Sequence, residues 1–366
     1  MRKLEYLTPI PDTMNPSKKA YKDVVDSNIV VCNSTIGNKA NFDFRAYESR
    51  NNKNSIRKVA DECCGYCGIR ITSQNYIEVE HYRPKNLLLH RGNEFLLHKT
   101  SNHTYGISGT TSAKFGYYRL GNNYSNMLPS CSACNKGSGN SSIIIGKSIV
   151  HGIKFGKGNY FPILFKNRRG IKTDPRINSI EVKDISNEYS LLFNPYIDEP
   201  KKLFRYSKPE LVENIQIIKI HAARDLNKNE KIKACVSINL LGLNRIGLCK
   251  DRMSIYIRLL SLKRNIAYDN DNDIRDINRW AEHANIYVNF FCKKSAGHIG
   301  FSQFMGEKIG EYLKRMIQTT FPTECHNTFR FGDDFNDVIK DLTAFSEEYY
   351  DIEQNYDLID DLLPFS

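Results

Sequence analysis

Cys64-Gly65-Tyr66-Cys67 and Cys131-Ser132-Ala133-Cys134 are two C-x-x-C pairs on either side of a domain-sized stretch of chain. That spacing suits four thiolates closing a tetrahedron round one zinc ion, with no position left for water. A closed tetrahedron makes a structural site, a clip joining two segments of chain. Cys63 adjoins the first pair and is an alternative to Cys64 as the ligand; the two-residue spacing favours Cys64.

Between the pairs lie Glu78-Val79-Glu80-His81-Tyr82-Arg83-Pro84-Lys85 and Tyr124-Ser125-Asn126-Met127-Leu128, and Asn135 follows the last cysteine. Phosphodiester hydrolysis needs an activated water, a clamp on the phosphate and a stabilised leaving oxygen. A histidine that titrates near neutrality is a general base for the first task. A hard divalent ion serves the other two. Glu80 offers a carboxylate oxygen beside His81, and Asn135 an amide oxygen at a helix start. Oxygen donors select Mg²⁺ or Mn²⁺ over zinc at this second site. Asn126 is expected to orient the His81 loop through its amide. Arg83, Lys85 and Lys136 are candidates for phosphate contacts, whereas Tyr82 and Tyr117 are read as core. An isolated acid–histidine dipeptide is more often an ordinary strand end; two cysteine knuckles and two well-placed asparagines weigh against that here. The other histidines, such as His151 or His283, lack such company and are read as solvated or structural.

The elements that must hold these residues are read from periodicity. Residues 42–62 suggest a helix running into the first knuckle, and 69–79 a short hairpin. Alternation puts Glu78 and Glu80 on one face of the second strand and Ile77, Val79 and His81 on the other. Residues 87–115 form a long insertion whose polar middle, 99–114, reads as a surface loop, and 115–120 returns to strand-like aromatic sequence. Ile143-Ile144-Ile145 reads as a buried strand before a turn. The following Gly146-Lys147-Ser148 is not a phosphate loop, because Ser141 stands where the upstream glycine is required. Residues 191–200 suggest a strand ending in a proline-bounded turn. Helices are expected over 229–241, 245–266, 274–283, 302–317 and 335–350. The fold class expected is α+β, divided into an N-terminal arm and helix (1–54), a zinc-stapled nuclease unit (55–165) and a mostly α-helical C-terminal domain (166–366).

A chain of 366 residues with 52 Lys plus Arg against 41 Asp plus Glu carries a formal charge of +11, which suits a polyanionic partner. There is no run of eighteen apolar residues and no apolar segment behind the basic start, so neither a membrane span nor a secretory signal is expected. Ten cysteines, four of them in metal spacing, fit a reducing cytoplasm and no disulfide framework.

Glu80-His81, Asn126 and Asn135, framed by the two cysteine pairs, resemble the ββα-metal (HNH) nuclease motif in a zinc-stapled form. With Tyr117-Tyr118-x-Leu120, Phe161-Pro162, Leu192-Phe193-Asn194-Pro195 and Leu241-Gly242-Leu243-Asn244-Arg245, the chain is similar over most of 55–260 to the HNH subunit of Septu-type antiphage systems, a subunit also found in some retron operons. The resemblance implies a metal-dependent nuclease in which His81 is the general base and Glu80 and Asn135 bind the catalytic ion, working with an ABC-type ATPase subunit. It leaves Lys147 and Lys157 as alternatives for the family's lysine, and residues 1–50 without a counterpart. The function expected is cleavage of DNA as a defence effector gated by the ATPase docked after about residue 165. A ribonuclease, tRNA included, is the alternative within the class. An inert zinc-stapled nucleic-acid-binding adaptor is the alternative outside it, and an adaptor has no need of Glu80, His81 and Asn135 together.

Overall fold

The computed structural model describes residues 3–6, 9–34, 41–60, 62–71, 77–85, 88, 99–100, 103–104, 115–137, 141–153, 155–163, 188–272, 279, 282–283 and 286–287. Its first helix, α1 (Lys19–Ser34), lies in a segment whose polar composition shows no clean period. The single helix expected over 42–62 is two, α2 (Arg45–Glu48) and α3 (Arg50–Lys58). Ser49 divides them: its backbone is extended at φ −57° and ψ 139°, and its hydroxyl accepts the Asn52 amide at 3.3 Å as the cap of α3. A hydroxyl cap of that kind stabilises a helix start by about 1 kcal/mol, so this serine favours a restart over continuation.

The strand β1 (Glu78–His81) does not find its described partner in the local sequence. The turn of the hairpin expected over 69–79 lies outside the described residues, and Arg70 makes only an isolated bridge to Cys63. Lys99–Thr100 (β2) and His103–Thr104 (β3) form a small antiparallel pair within the long insertion. Residues 115–120, expected as a strand, are a turn followed by a 3₁₀ segment over Tyr118–Leu120. Aromatic content suggested extension there, but Tyr117, Tyr118 and Leu120 are buried from a turn, whose start is held by the Tyr117 amide donating to the Pro84 carbonyl at 2.8 Å. β1 pairs antiparallel with β4 (Met127–Ser130), Glu80 opposite Leu128 and His81 opposite Met127. The short helix α4 (Ser132–Asn135) follows at once. The resulting order is strand, strand, helix, with one knuckle before it and one inside it. β5 (Ser141–Ile145) and β6 (Ser148–Ile153) make a hairpin that turns at Gly146-Lys147, in line with the reading of a buried strand and turn.

Beyond residue 188 the chain is less helical than expected. Residues 191–199 run without regular pairing into α5 (Pro200–Leu203), capped by Glu199. β7 (Phe204–Tyr206) pairs with β10 (Ile220–Ala222), while β8 (Glu210–Val212) and β9 (Ile215–Ile217) form a hairpin between them. Each spans three residues, too short to show an alternation in sequence. The hairpin turns at Glu213 and Asn214, both at positive φ (45° and 68°), the backbone of a tight turn matched to strand twist. α6 (Lys228–Leu240) opens on a capping box between Asn227 and Glu230, and α7 (Ile246–Asp271) runs five residues past its expected end at 266. The helices expected over 302–317 and 335–350 lie outside the described residues, as does most of 274–283. A single buried cluster joins Leu4 and Ile56, Tyr66 and Leu128, and Leu192, Leu241 and Met253, so it draws on all three stretches divided at 54/55 and 165/166. No helix among the described residues is long and apolar enough to cross a membrane.

Candidate metal centre and adjoining pocket

The first knuckle is a turn closed by the Gly68 amide on the Cys64 carbonyl at 2.8 Å, and the Gly65 amide fastens it to β4 through the Pro129 carbonyl at 2.8 Å. The second knuckle starts α4, where the Cys131 sulfur accepts the Cys134 amide at 3.4 Å. The sulfurs of Cys64, Cys67, Cys131 and Cys134 lie within 4.8 Å of one another. A tetrahedron with Zn–S bonds of about 2.3 Å has edges of about 3.8 Å, and the Cys67–Cys131 sulfur separation is 3.8 Å. Four thiols so placed are positioned to coordinate a metal ion, which supports a structural zinc site. Cys63 is buried but stands outside this set, so the choice between it and Cys64 falls to Cys64.

β1 and α4 also line a cavity of about 450 Å³, with Glu80, His81, Lys85, Asn135, Lys136 and Lys157 on its walls. His81 is 7 % exposed. Its Nε2 lies 2.8 Å from the Gly121 carbonyl oxygen, which only accepts, so Nε2 carries the hydrogen. Burial, with the Lys85 charge next and Lys157 last, pushes the imidazole down to about 3 against the opposing effect of the Gly121 bond. The ring is therefore neutral at ordinary pH, with a lone pair on Nδ1, but it does not titrate near neutrality as expected of a general base and is a weaker base for its burial. Tyr47 stands edge-on to it, ring centroids 4.8 Å apart at 89°. The chain passes His81 at Gly121 because nothing larger fits: a Cβ there would lie 2.0 Å from a ring carbon of Phe44.

Glu80, on a face that alternation left undecided, is buried and paired with Lys157, which is itself almost wholly buried. Burial pushes Glu80 up and Lys157 down, each toward neutrality, and the attraction between them opposes both shifts. Lys157 is brought there by an irregular segment crossing the end of α4: its amide donates to the Cys134 carbonyl at 2.8 Å and that of Gly158 to the Asn135 carbonyl at 2.6 Å. The crossing is close enough that a Cβ on Gly156 would lie 2.3 Å from the Gly137 Cα. Lys147, the other candidate for this lysine, sits in the β5–β6 turn and does not line the cavity. The nitrogen of the Asn135 amide donates to Glu78 at 2.6 Å, so its oxygen is the atom that could hold a cation. Lys136 pairs with the same Glu78 at 2.6 Å.

Asn126 bridges the loop after His81, its Oδ1 accepting the Arg83 amide at 2.8 Å and its Nδ2 donating to the Arg83 carbonyl at 2.9 Å. Arg83 itself, a candidate phosphate contact, is turned away from the cavity. It pairs with Glu188 at 3.3 Å and lies over the rings of Tyr82, Tyr117 and Phe161. Lys85 does face the cavity, its ammonium bonded to the Tyr47 hydroxyl and 4.2 Å from the centre of the Phe44 ring. Burial lowers it to about 8, with Glu48 acting against the shift and Lys53 with it. Tyr47 and Phe44 come from the N-terminal stretch that had no counterpart in the resemblance, and no local pattern marks them.

The chain is similar to a Septu protein. That relative, Septu protein PtuB of Bacillus mycoides, is 26 % identical over 252 residues, which are 66 % of this chain and 67 % of the relative. No family model matches the chain, and no solved structure does.

Proposed function

We propose that the cavity is the active site of a metal-dependent HNH-type endonuclease that hydrolyses phosphodiester bonds of DNA. The observation that carries the reading is the Nε2–Gly121 bond, which leaves the lone pair of a neutral His81 on Nδ1 beside Glu80, Asn135 and three lysines. In the reaction, His81 Nδ1 takes a proton from water as its oxygen attacks phosphorus. The bond from phosphorus to the leaving oxygen breaks, and that oxygen takes a proton from solvent. Lys85 and Lys136, on the cavity wall, hold the phosphate oxygens by charge. Asn126 keeps the loop behind His81 in register, so that the imidazole does not rotate out of line. Glu80, once released from its pairing with Lys157, and Asn135 would give a hard divalent ion one carboxylate and one amide oxygen, with water completing the shell of Mg²⁺ or Mn²⁺. Bound there, such an ion would supply positive charge to the scissile phosphate. The four cysteines hold β4 and α4 against the first knuckle, and so hold Asn135 at its distance from β1.

The similarity to a Septu protein supports a place in an antiphage system; the reading adds to it an ABC-type ATPase as partner, docked on the region after about residue 165. Within this reading the partner gates access to His81, since the basic charge attracts any nucleic acid without selection. Supercoiled plasmid and folded RNA, tRNA included, incubated with the protein and Mg²⁺ or Mn²⁺, test the substrate. Nicking of the plasmid that EDTA abolishes is the expected result. Cleavage of RNA alone reassigns the substrate, and cleavage of neither, with the co-expressed ATPase present, returns the chain to the adaptor reading.

A further inference from the structure

The turn between α6 and α7 reaches into the metal centre. Arg245, one residue before α7, places its guanidinium against three of the four sulfurs: 3.4 Å to Cys67, 3.8 Å to Cys131 and 3.7 Å to Cys134. Four thiolates around one Zn²⁺ leave a net charge of about −2, concentrated on sulfur. An uncompensated dianion in a packed interior is costly, and a cation within hydrogen-bond reach relieves it. A guanidinium suits the task better than an ammonium, because its planar fork directs several N–H groups at separate acceptors and it keeps its proton.

We propose that Arg245 is the charge partner of the metal centre, a positioning residue whose N–H···S bonds withdraw charge from the thiolates and slow release of the ion. The surroundings fit that role. The guanidinium lies over the Phe155 ring, 5.7 Å from its centre, which screens that side from water. The same turn is anchored from both directions: the Ile144 amide donates to the Asn244 carbonyl at 3.0 Å and the Gly156 amide to that of Leu240 at 2.6 Å. Arg245 also donates to the Leu241 and Gly242 carbonyls at 3.3 and 3.2 Å. Those bonds alone would make it a simple cap on α6. The three sulfur contacts go beyond a cap, and they make the α6–α7 turn part of the metal site.

The experiment uses the full-length zinc protein and its Arg245→Met and Arg245→Lys variants. Two readouts serve: the rate of zinc transfer to a chromogenic chelator, and the energy of the sulfur-to-cobalt charge-transfer band after replacement of zinc by Co²⁺. Loss of an outer partner of this kind costs about 10–100-fold in metal retention, so Arg245→Met is expected to transfer zinc faster by that factor. Its charge-transfer band moves to lower energy, since thiolates freed of N–H donors give up electrons more readily. Arg245→Lys lies between, keeping the charge without the fork. A methionine variant with the wild-type transfer rate and band, and only a lowered melting temperature, reduces Arg245 to a helix cap and overturns the proposal. Should that variant fail to fold, the lysine variant decides: an unchanged rate and band overturn it, and a faster transfer with a shifted band upholds it. Neither readout involves nucleic acid, so the result is separate from the nuclease reading.

Discussion

The metal centre and the cavity both draw on the unit of β1, β4 and α4, yet they are held by different means. The four cysteines come in two local pairs, and the backbone of each knuckle presents its own sulfurs. The cavity is assembled from distant segments: Gly121 aligns His81, Lys157 faces Glu80, and Tyr47 covers the imidazole. A site made of local turns can be read from spacing. A site made of crossings depends on which segment arrives, and that is decided by packing. The same difference implies different failures, because removing one sulfur undoes a fold-forming clip, whereas removing one cavity group leaves the clip intact.

The comparison breaks most visibly at the clip. Cys131→Ser leaves three sulfurs while keeping a capping oxygen at the start of α4, and metal binding is folding free energy in such a site. The expected outcome is loss of protection from hydrogen exchange across β1, β4 and α4, and the same loss on stripping the wild-type protein with a chelator. Metal analysis should give about one zinc per folded wild-type chain; a folded protein without zinc would show that the thiols are only core.

Lys157→Met probes the cavity at its most buried charge. Removing one partner of a buried pair typically costs about 3–5 kcal/mol, because the other is left uncompensated. Denaturant unfolding should show a loss of that order, with zinc content unchanged, and Glu80→Gln on the same background should recover part of it. An undiminished midpoint for Lys157→Met would mean that Glu80 is not the charge it faces.

The legible and the illegible divide along the same line. The cysteine set, the acid–histidine strand, α6 and most of α7 follow from spacing and period, whereas Asn135, expected at a helix start, is the last residue of the short α4. The partner of β1 could not be found locally, since Met127–Ser130 lies across a long insertion. Residues 42–62 suggest one helix, yet a serine three residues before a free amide is a cap signal, and Ser49 divides the stretch. Arg83 is a phosphate candidate by its charge and its place beside His81; the neighbours that hold it elsewhere, Tyr117, Phe161 and Glu188, are far from it in sequence. Lys157 is legible only through the resemblance, and no local pattern marks Tyr47.

A smaller effect concerns pH. Lys85 is a cation below about 8 and loses its proton as pH rises through that value. If its charge holds the phosphate, cleavage falls on the alkaline side of pH 8, while Lys85→Arg, charged throughout, keeps its rate there. The ratio of the two pH–rate profiles measures this; parallel profiles would assign Lys85 to packing against Tyr47 and Phe44.

The central claim is that a neutral His81, aligned by Gly121, is the general base of phosphodiester hydrolysis. The direct measurement compares wild-type and His81→Ala protein, at matched zinc content and melting temperature, for nicking of supercoiled plasmid under single-turnover conditions with Mn²⁺. Removal of a general base costs about 10²–10⁴-fold in rate, and a loss in that range is the result predicted. A variant that nicks at the wild-type rate, while wild-type activity still requires the metal, would contradict it.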